Sequence, residues 1–348
     1  MSGTLLGCDV PLAERYDVAL VDLDGVTYRG HEPIDGAASG IAGARALGMR
    51  MVFVTNNASR EPESVAGQLT GLGIPADGSD VMTAAQAAAS LLTSRLSPGQ
   101  KVLVVGGAGL VTAVRAAGFE IVTSADDGPV AVVQGFAPEL GWANLAEAAY
   151  AVERGAWFVA SNLDLSLPTA RGFAPGNGAL VGAVQAATGI VPDSAGKPSP
   201  TMYQLAIDRV GARSPLVVGD RLDTDLAGAR AGDFPGLHVL TGVSRARDDI
   251  LAVPAERPHF IGADLRSLLV PHEAPERDGD GWWRCGGAAA RVVSGVLQLH
   301  PGSPSEGKTA IEARVNLVRA ACGAVWAAVD AGIVIDLDSV PEIAVHNE

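Results

Sequence analysis

The sequence predicts an α/β protein with a parallel sheet, an inserted second α/β unit and a small C-terminal α+β region. First, short apolar runs alternate with helix-like segments, which is typical of parallel sheets. Second, these runs are apolar throughout, as expected of strands that are buried on both faces. Third, the alternation starts afresh near residue 83 and resumes near residue 193, which indicates an insertion.

The first section of the chain is predicted to run strand, helix, strand, helix, strand. Gly48 ends the first helix, and Pro62 with Glu63 begins the second, where a proline and an acidic residue are both favourable. The predicted elements of this section are the strands 18–21, 50–54 and 81–82 and the helices 36–47 and 61–70.

The second section has the size of one small domain. Its glycine-rich turn at 106–109 lacks the dinucleotide-binding spacing, because Thr112 stands where the third glycine would be. We therefore expect an ordinary tight turn there. The predicted elements of this section are the strands 102–105, 130–134 and 157–160 and the helices 84–95, 144–153 and 178–187.

The first pattern then resumes, and a polar segment separates it from a last, shorter pattern. The predicted elements are the helices 201–210, 226–231 and 309–329, the strands 215–218, 237–240, 292–299 and 333–337, and a linker at 271–280. We therefore expect a discontinuous core domain (1–82 and 193–270), an inserted domain (83–192) and a C-terminal α+β domain (271–348).

Composition and charge exclude several functional classes. The chain has 348 residues, with 25 Lys and Arg against 39 Asp and Glu, so its net charge of −14 disfavours nucleic acid as a partner. Cys8, Cys285 and Cys322 are widely spaced and predict neither a disulfide framework nor a zinc site. No basic, apolar leader and no long uncharged apolar run is evident. We expect a cytoplasmic protein that does not bind membranes.

Two aspartates follow the first strand, in the stretch Leu20-Val21-Asp22-Leu23-Asp24-Gly25. Alternate residues of an extended segment point the same way, so the carboxylates of Asp22 and Asp24 face one small volume. That arrangement is unfavourable unless a cation or a shared proton intervenes. Taken alone, the stretch is explained equally well by an acidic surface turn.

Further polar groups follow other predicted strands or precede a helix. Thr55-Asn56-Asn57 ends the second strand, Gly196-Lys197-Pro198 precedes the helix at 201, and Gly219-Asp220 begins a run that reaches Asp225. Strand ends of a parallel sheet form its ligand-binding edge. Several carboxylates there favour Mg²⁺, while Thr55 and Lys197 can donate to phosphate oxygens. Asp22 is then available as a nucleophile.

Together these motifs resemble the haloacid dehalogenase (HAD) superfamily of phosphatases. The order D-L-D-G-V, T-N-N, G-K-P and G-D-R-x-x-T-D matches its four motifs, over about residues 16–269. The insert resembles the large α/β cap (type IIA) of the NagD-like branch, which includes nitrophenylphosphatases, phosphoglycolate phosphatases and glycerol-phosphate phosphatases. The resemblance implies a Rossmann-like HAD core with this cap.

The resemblance also implies a role for each residue. Asp22 would be the nucleophile and Asp24 the general acid and base, with Mg²⁺ held by Asp22, the backbone oxygen of Asp24 and Asp220. Asp225 would lie outside the set of metal ligands and orient the metal-bound waters or Lys197. Thr55, Asn56 and Lys197 would bind the phosphoryl group, and the cap residues Asn162 and Asp164 would contact the substrate.

The C-terminal region resembles a truncated acetyltransferase-like (GNAT-like) domain. The acyl-CoA pyrophosphate loop of that family is not apparent after Gly281, so we expect a structural or oligomer-contact role instead.

The predicted function is hydrolysis of a small phosphorylated metabolite, with glycerol 3-phosphate preferred. Phosphoglycolate phosphatase and broad-specificity nitrophenylphosphatase are the alternatives. The sequence does not give the oligomeric state, and the resemblance to relatives with this cap implies a homodimer formed through the cap. Two further hypotheses remain: a regulatory protein that binds phosphometabolites on an inactive scaffold, and phosphoryl transfer to an acceptor other than water.

Overall fold

The computed structural model describes residues 4–169, 171–302 and 309–346. The chain forms two compact units, one comprising Met1–Met51 with Gly211–Glu348 and the other Val52–Val210. Each unit is described by itself.

The described residues contain strands that are numbered here in chain order. They are β1 (Val18–Val21), β2 (Tyr28–Arg29), β3 (Glu32–Pro33), β4 (Arg50–Thr55), β5 (Val81–Thr83), β6 (Lys101–Val105), β7 (Glu120–Val122), β8 (Ala131–Gln134), β9 (Trp157–Ala160), β10 (Ser166–Thr169), β11 (Gly172–Pro175), β12 (Asp193–Ser194), β13 (Pro215–Gly219), β14 (Gly236–Val239), β15 (Phe260–Gly262), β16 (Glu276–Arg277), β17 (Trp283–Cys285), β18 (Ala288–Val293) and β19 (Val296–His300).

The α-helices are numbered in the same way. They are α1 (Leu12–Arg15), α2 (Ala37–Ala46), α3 (Pro62–Gly71), α4 (Ala84–Thr93), α5 (Ala108–Ala116), α6 (Trp142–Glu153), α7 (Asn177–Thr188), α8 (Thr201–Val210), α9 (Ala227–Ala231), α10 (Ala246–Leu251) and α11 (Ala310–Asp330). Short helical turns lie at Gly78–Asp80, Ala125–Asp127, Leu222–Leu226, Leu265–Leu269 and Leu337–Ser339.

The first unit is built on parallel strands in the order β15-β14-β13-β1. Every residue of β1 is buried, as its uninterrupted apolar sequence predicts. Asp17, just before β1, accepts hydrogen bonds from the backbone N–H groups of Arg213 and Ser214. This contact fixes the start of β1 beside the start of β13, so both strands end at the same edge of the sheet.

The C-terminal part of this unit is an antiparallel sheet, ordered β16-β17-β18-β19, with α11 packed against it. Helix α11 begins at a capping box in which Thr309 and Glu312 exchange side-chain and backbone hydrogen bonds. Its buried residues, among them Trp326, share one hydrophobic core with Ile250 and Ile261 of the parallel-sheet region. The region therefore contains both an antiparallel sheet and a helix, and its status as a separate domain stays a prediction.

Three sequence predictions for this region are wrong in detail. The strand 292–299 is two strands, because Ser294 and Gly295 adopt positive φ angles of 51° and 82° and form a tight turn. Residues 333–337 form no strand, since the N–H of Ile333 instead bonds to Ala328 at the end of α11. The expected linker includes buried His272, which exchanges backbone hydrogen bonds with Cys8.

The second unit contains the parallel pair β4 and β5 and a five-stranded parallel sheet ordered β12-β9-β8-β6-β7. Strands β10 and β11 form an antiparallel hairpin. Thr83 and Gln86 form a capping box that begins α4 directly after β5. The strands and helices predicted for 102–160 are confirmed to within about two residues at their ends.

Two further expectations bear on these units. The three predicted domain boundaries stay a prediction, since the two compact units are divided after residues 51 and 210. Among the described residues, no helix has the length and apolar character needed to span a membrane.

Candidate active site

The register of two neighbouring strands brings Asp22 and Asp220 together. Val21 of β1 lies opposite Val218 of β13, and the N–H of Asp22 bonds to the oxygen of Val218 at 2.8 Å. Asp22 and Asp220 follow these positions directly, so both side chains lie at the carboxyl edge of the sheet. This is the juxtaposition that the sequence predicted.

A third carboxylate joins them. Ligand oxygens of Asp22, Asp220 and Asp225 all lie within 4.8 Å of one another, and these three residues are called the carboxylate cluster below. Asp225 is brought back by the wide helical turn Leu222–Leu226, and its Oδ2 accepts the N–H of Arg221 at 3.2 Å. Wide turns of this kind are frequent at functional sites. The sequence predicted an ordinary helix start here.

Two glycines make room for the Asp220 carboxylate. A Cβ at Gly25 would lie 2.4 Å from Asp220 Oδ2, and one at Gly242 would lie 1.8 Å from it. Gly25 also has a φ of 87°, which side-chain-bearing residues rarely adopt. The N–H of Val243 donates to the same oxygen at 2.7 Å. The backbone atoms of Gly25, Gly242 and Val243 therefore enclose the Asp220 carboxylate.

The donor set of the carboxylate cluster fits a hard divalent cation. Asp220 and Asp225 are almost fully buried, and three carboxylates this close repel one another unless positive charge lies between them. Oxygens bound to one Mg²⁺ lie about 3 to 4 Å apart, since each bond is about 2.1 Å long. Asp22, Asp220 and Asp225 are within reach of one such ion after small adjustments.

Asp24 lies in the turn that follows β1 and pairs with Tyr28 as an isolated bridge. Its side chain reaches solvent, yet partial burial raises the pKa of its carboxyl group, and the Gly30 backbone and the Arg29 charge lower it less. A raised pKa favours the protonated acid, the form that can give a proton to a leaving group.

The second unit brings together Asn56, Asn162, Asp164 and Lys197, which are called the amide cluster below. The Asn56 side chain is its centre: Nδ2 donates to both carboxylate oxygens of Asp164 at 3.1 Å and to the Lys197 oxygen at 3.3 Å. Its Oδ1 accepts the Lys197 N–H at 2.9 Å. Both amide protons are therefore directed at protein acceptors.

Asn162 is fixed in the same way. Its Nδ2 donates to the backbone oxygen of Asn56 at 2.7 Å, and its Oδ1 accepts the N–H of Asp164 at 3.2 Å. Buried Asn177, which the sequence reasoning missed, donates to the backbone oxygen of Asn162 at 2.7 Å. Gly178 allows the close approach, since a Cβ there would lie 2.2 Å from the oxygen of Leu163.

Thr55 and Lys197 are both buried at the edge of this cluster. The Nζ of Lys197 donates to the oxygen of Val54 at 3.3 Å, and the Thr55 hydroxyl accepts the N–H of Asn57 at 3.1 Å. A hydroxyl that accepts one hydrogen bond can also donate its own proton, and an ammonium group carries three protons, so both side chains are of the type that donates to phosphate oxygens. These are the donors that a phosphate group requires.

The sequence reasoning also missed His238 and Asp249, which are both fully buried. His238 contacts the backbone oxygen of Asp220, and Asp249 contacts His238. A signal was present: a histidine within the apolar strand Gly236–Val239 must find hydrogen-bond partners when buried.

Two protein-family models match the chain. A family model described as haloacid dehalogenase-like hydrolase matches residues 19–120, and one described as HAD-hydrolase-like matches residues 194–268. A D-glycerol 3-phosphate phosphatase from Mycobacterium tuberculosis is 44% identical over 321 residues, which cover 91% of this chain and 88% of that protein.

Solved structures are similar over most of the chain. A glycerol phosphate phosphatase from Mycobacterium tuberculosis in complex with magnesium has a TM-score of 0.82 and 42% identity, covering 91% of this chain and 92% of its own. A p-nitrophenyl phosphatase from Archaeoglobus fulgidus has a TM-score of 0.68 and 28% identity, covering 73% and 98%. As its motifs predicted, this chain belongs to the haloacid dehalogenase-like hydrolases.

Proposed function

We propose that this chain is a Mg²⁺-dependent phosphatase that hydrolyses glycerol 3-phosphate. The observation that carries the substrate is the 44% identity, over nearly the whole chain, with a D-glycerol 3-phosphate phosphatase. The magnesium complex of a similar phosphatase and the carboxylate cluster support the cation. Nitrophenyl phosphate is proposed as a second substrate, because a p-nitrophenyl phosphatase has a similar structure.

In the first step an oxygen of the Asp22 carboxylate attacks phosphorus, and the bond between phosphorus and the glycerol oxygen breaks. Asp24 gives its proton to that oxygen, so glycerol leaves as a neutral alcohol. The raised pKa of Asp24 supports this assignment, because the residue must begin the cycle protonated.

In the second step Asp24, now a carboxylate, accepts a proton from water as the water oxygen attacks phosphorus. The bond to Asp22 breaks, phosphate is released, and both aspartates return to their first state. When bound, Mg²⁺ would supply positive charge between Asp22 and the phosphate. Asp22, Asp220 and the backbone oxygen of Asp24 would hold it, and Asp225 would either complete this set or orient it.

Thr55 and Lys197 are proposed to bind the phosphoryl oxygens through the hydroxyl and the ammonium group. Asn56 is proposed to act by fixing the backbone around Thr55 and Lys197, since both protons of its amide are directed at protein acceptors. Asn162 and Asp164 are proposed to shape the substrate side of the cap through the same network.

The proposal is tested by measuring phosphate release from glycerol 3-phosphate, phosphoglycolate and nitrophenyl phosphate, with Mg²⁺ and with EDTA. We expect glycerol 3-phosphate to give the highest kcat/KM and EDTA to abolish release. Preference for phosphoglycolate would overturn the substrate assignment.

The Asp22→Asn variant tests the mechanism. It should lower kcat by about 10⁴-fold or more, the range expected when a nucleophile is removed, while the circular dichroism spectrum and the unfolding midpoint stay close to wild type. Near-normal turnover would contradict the assignment of Asp22. A cytoplasmic location and a homodimer stay predictions.

A further inference from the structure

We propose that the buried pair His238 and Asp249 positions Asp220 for cation binding, and that α11 of the C-terminal region supports this pair. The inference rests on the proposed function in one respect, that Asp220 holds the divalent cation. His238 and Asp249 touch none of the reacting groups, so we describe them as positioning residues.

The sheet itself sets the first contact. His238 of β14 lies opposite Gly219 of β13, so its side chain lies one residue from Asp220. His238 Nε2 lies 3.1 Å from the backbone oxygen of Asp220. A carbonyl oxygen only accepts hydrogen bonds, so Nε2 carries the proton at this contact.

Asp249 fixes the other side of the same ring. Both of its carboxylate oxygens lie 2.8 to 2.9 Å from His238 Nδ1, and the two side chains are fully buried. With both ring nitrogens bonded, the imidazole is held in one orientation. At many metal sites a buried side chain hydrogen-bonds to a residue that binds the metal and fixes the orientation of that residue.

The backbone of Asp220 is held by more than the histidine. The N–H of Ser244 donates to the same carbonyl oxygen at 3.0 Å, and the N–H of Val243 donates to the carboxylate at 2.7 Å. Among these contacts, only the one from His238 comes from a side chain. It is therefore the contact that a substitution can remove without altering the main chain.

The last contact connects this pair to the C-terminal region. The indole N–H of Trp326, on α11, donates to the backbone oxygen of Asp249 at 3.0 Å. Trp326 is buried in a hydrophobic core that also contains Ile250, the neighbour of Asp249. Trp326 of α11 thus bonds to the backbone of Asp249, whose side chain bonds to His238, which in turn bonds to Asp220. Through these contacts α11 supports the proposed cation site.

Two substitutions at His238 separate positioning from ordinary stability. The amide nitrogen of a glutamine reaches the place of Nε2, so His238→Gln keeps a donor to the Asp220 oxygen. The shorter His238→Asn reaches only the place of Nδ1 and loses that donor. Both variants bury a neutral amide in the same place, so they are matched controls for each other.

The readout is binding of Mn²⁺ alone to the full-length protein, measured by electron paramagnetic resonance of the free ion. We expect His238→Asn to weaken Mn²⁺ binding by about tenfold or more, the range seen when an outer support of a metal ligand is lost. His238→Gln should bind Mn²⁺ more tightly than His238→Asn does, because it keeps the donor to the Asp220 oxygen and loses only the bond to Asp249. Equal affinity of His238→Asn and wild type, or an equal loss in both variants, would overturn the inference.

Two additions keep the result decisive. If His238→Asn does not fold, Asp249→Asn and Asp249→Ala replace it, since only the asparagine can still bond to Nδ1. Equal Mn²⁺ affinity of these two variants would overturn the inference.

Asp220→Asn tests the proposed cation site itself. If Asp220→Asn binds Mn²⁺ as wild type does, the proposed metal role fails, whereas loss in Asp220→Asn without loss in His238→Asn refutes only the positioning role.

Discussion

The carboxylate cluster of the first unit and the amide cluster of the second are held in different ways. Asp22 and Asp220 follow paired strands directly, and backbone N–H groups and glycines hold the Asp220 side chain. Asn56, in contrast, is bonded through side chains to residues between 106 and 141 positions away in the sequence. Main-chain pairing sets the first group, and amide side chains set the second.

The difference indicates whether a substitution in each cluster should affect activity alone or stability as well. In the carboxylate cluster, the charged groups are those proposed to carry out the reaction, while the backbone sets their geometry. We therefore expect conservative changes there to remove activity and to leave the fold. In the amide cluster the same side chains carry the geometry, so conservative changes should affect stability as well.

Asp24→Asn should lower kcat for glycerol 3-phosphate by about 10² to 10⁴-fold, because the alkoxide must then leave without a proton. Nitrophenyl phosphate has a leaving group that needs no proton, so its first step should continue while the second step, which needs the base, is slow. Stopped-flow absorbance should therefore show a burst of nitrophenolate.

Asp22→Asn is the control for that experiment and should show no burst, since it lacks the nucleophile. Equal losses with both substrates and no burst from Asp24→Asn would contradict the acid and base role. The contrast between clusters predicts that neither variant lowers the unfolding midpoint appreciably.

Asn56→Asp should destabilise the second unit by about 3 kcal/mol, because two carboxylates would face each other where an amide now donates to Asp164. Asn57→Asp is the matched control: Asn57 Oδ1 only accepts, from the N–H and hydroxyl of Ser59, and a carboxylate can do the same. Urea unfolding of both variants measures the difference.

Adding Asp164→Asn to Asn56→Asp restores one donor and one acceptor between the two positions, so the double variant should regain part of the lost stability. If Asn56→Asp and Asn57→Asp unfold at the same urea concentration, the amide cluster does not stabilise its part of the structure.

Acid should act on the first unit, because His259 and His272, whose pKa values are both lowered, lie in it. Burial and the Arg319 charge lower the pKa of His272 to about 3, and burial lowers the pKa of His259 to about 4. In the unfolded chain both histidines take up a proton near pH 6.5, whereas in the folded chain they do so only at lower pH. Each of these two histidines therefore makes the free energy of unfolding fall as the pH drops below 6.5. His238, with a raised pKa, opposes this trend.

The replacement His272→Gln isolates one contribution. The slope of unfolding free energy against pH between 6 and 4.5 should become flatter by about 1 kcal/mol per pH unit. An unchanged slope would show that His272 is protonated equally in both states. Hydrogen exchange at both pH values should place the wild-type loss of protection in residues 1–51 and 211–348.

The sequence predicts the residues that directly follow strands better than it predicts turns and segments that depend on contacts elsewhere in the chain. Asp22, Asp24 and Asp220 were predicted because each follows an apolar run, and strands of a parallel sheet end at one edge. Asp225 was identified from its motif, yet the wide turn that brings its carboxylate back was not predicted, since that turn depends on hydrogen bonds to Arg221. The C-terminal strand at 333–337 was wrongly predicted because apolar sequence alone cannot tell a strand from the end of a helix.

Local apolar patterns and fixed spacings are enough to predict the α/β class, the family, the four motifs and a set of candidate site residues. The tertiary structure was needed to show that Asn56 bonds to Asp164 and Lys197 and that glycines leave room for the Asp220 carboxylate. It was also needed to show the hydrogen bonds that connect Trp326, Asp249 and His238 to Asp220. Such contacts join residues far apart in the chain. Their geometry is set by packing, on which the local sequence carries little information.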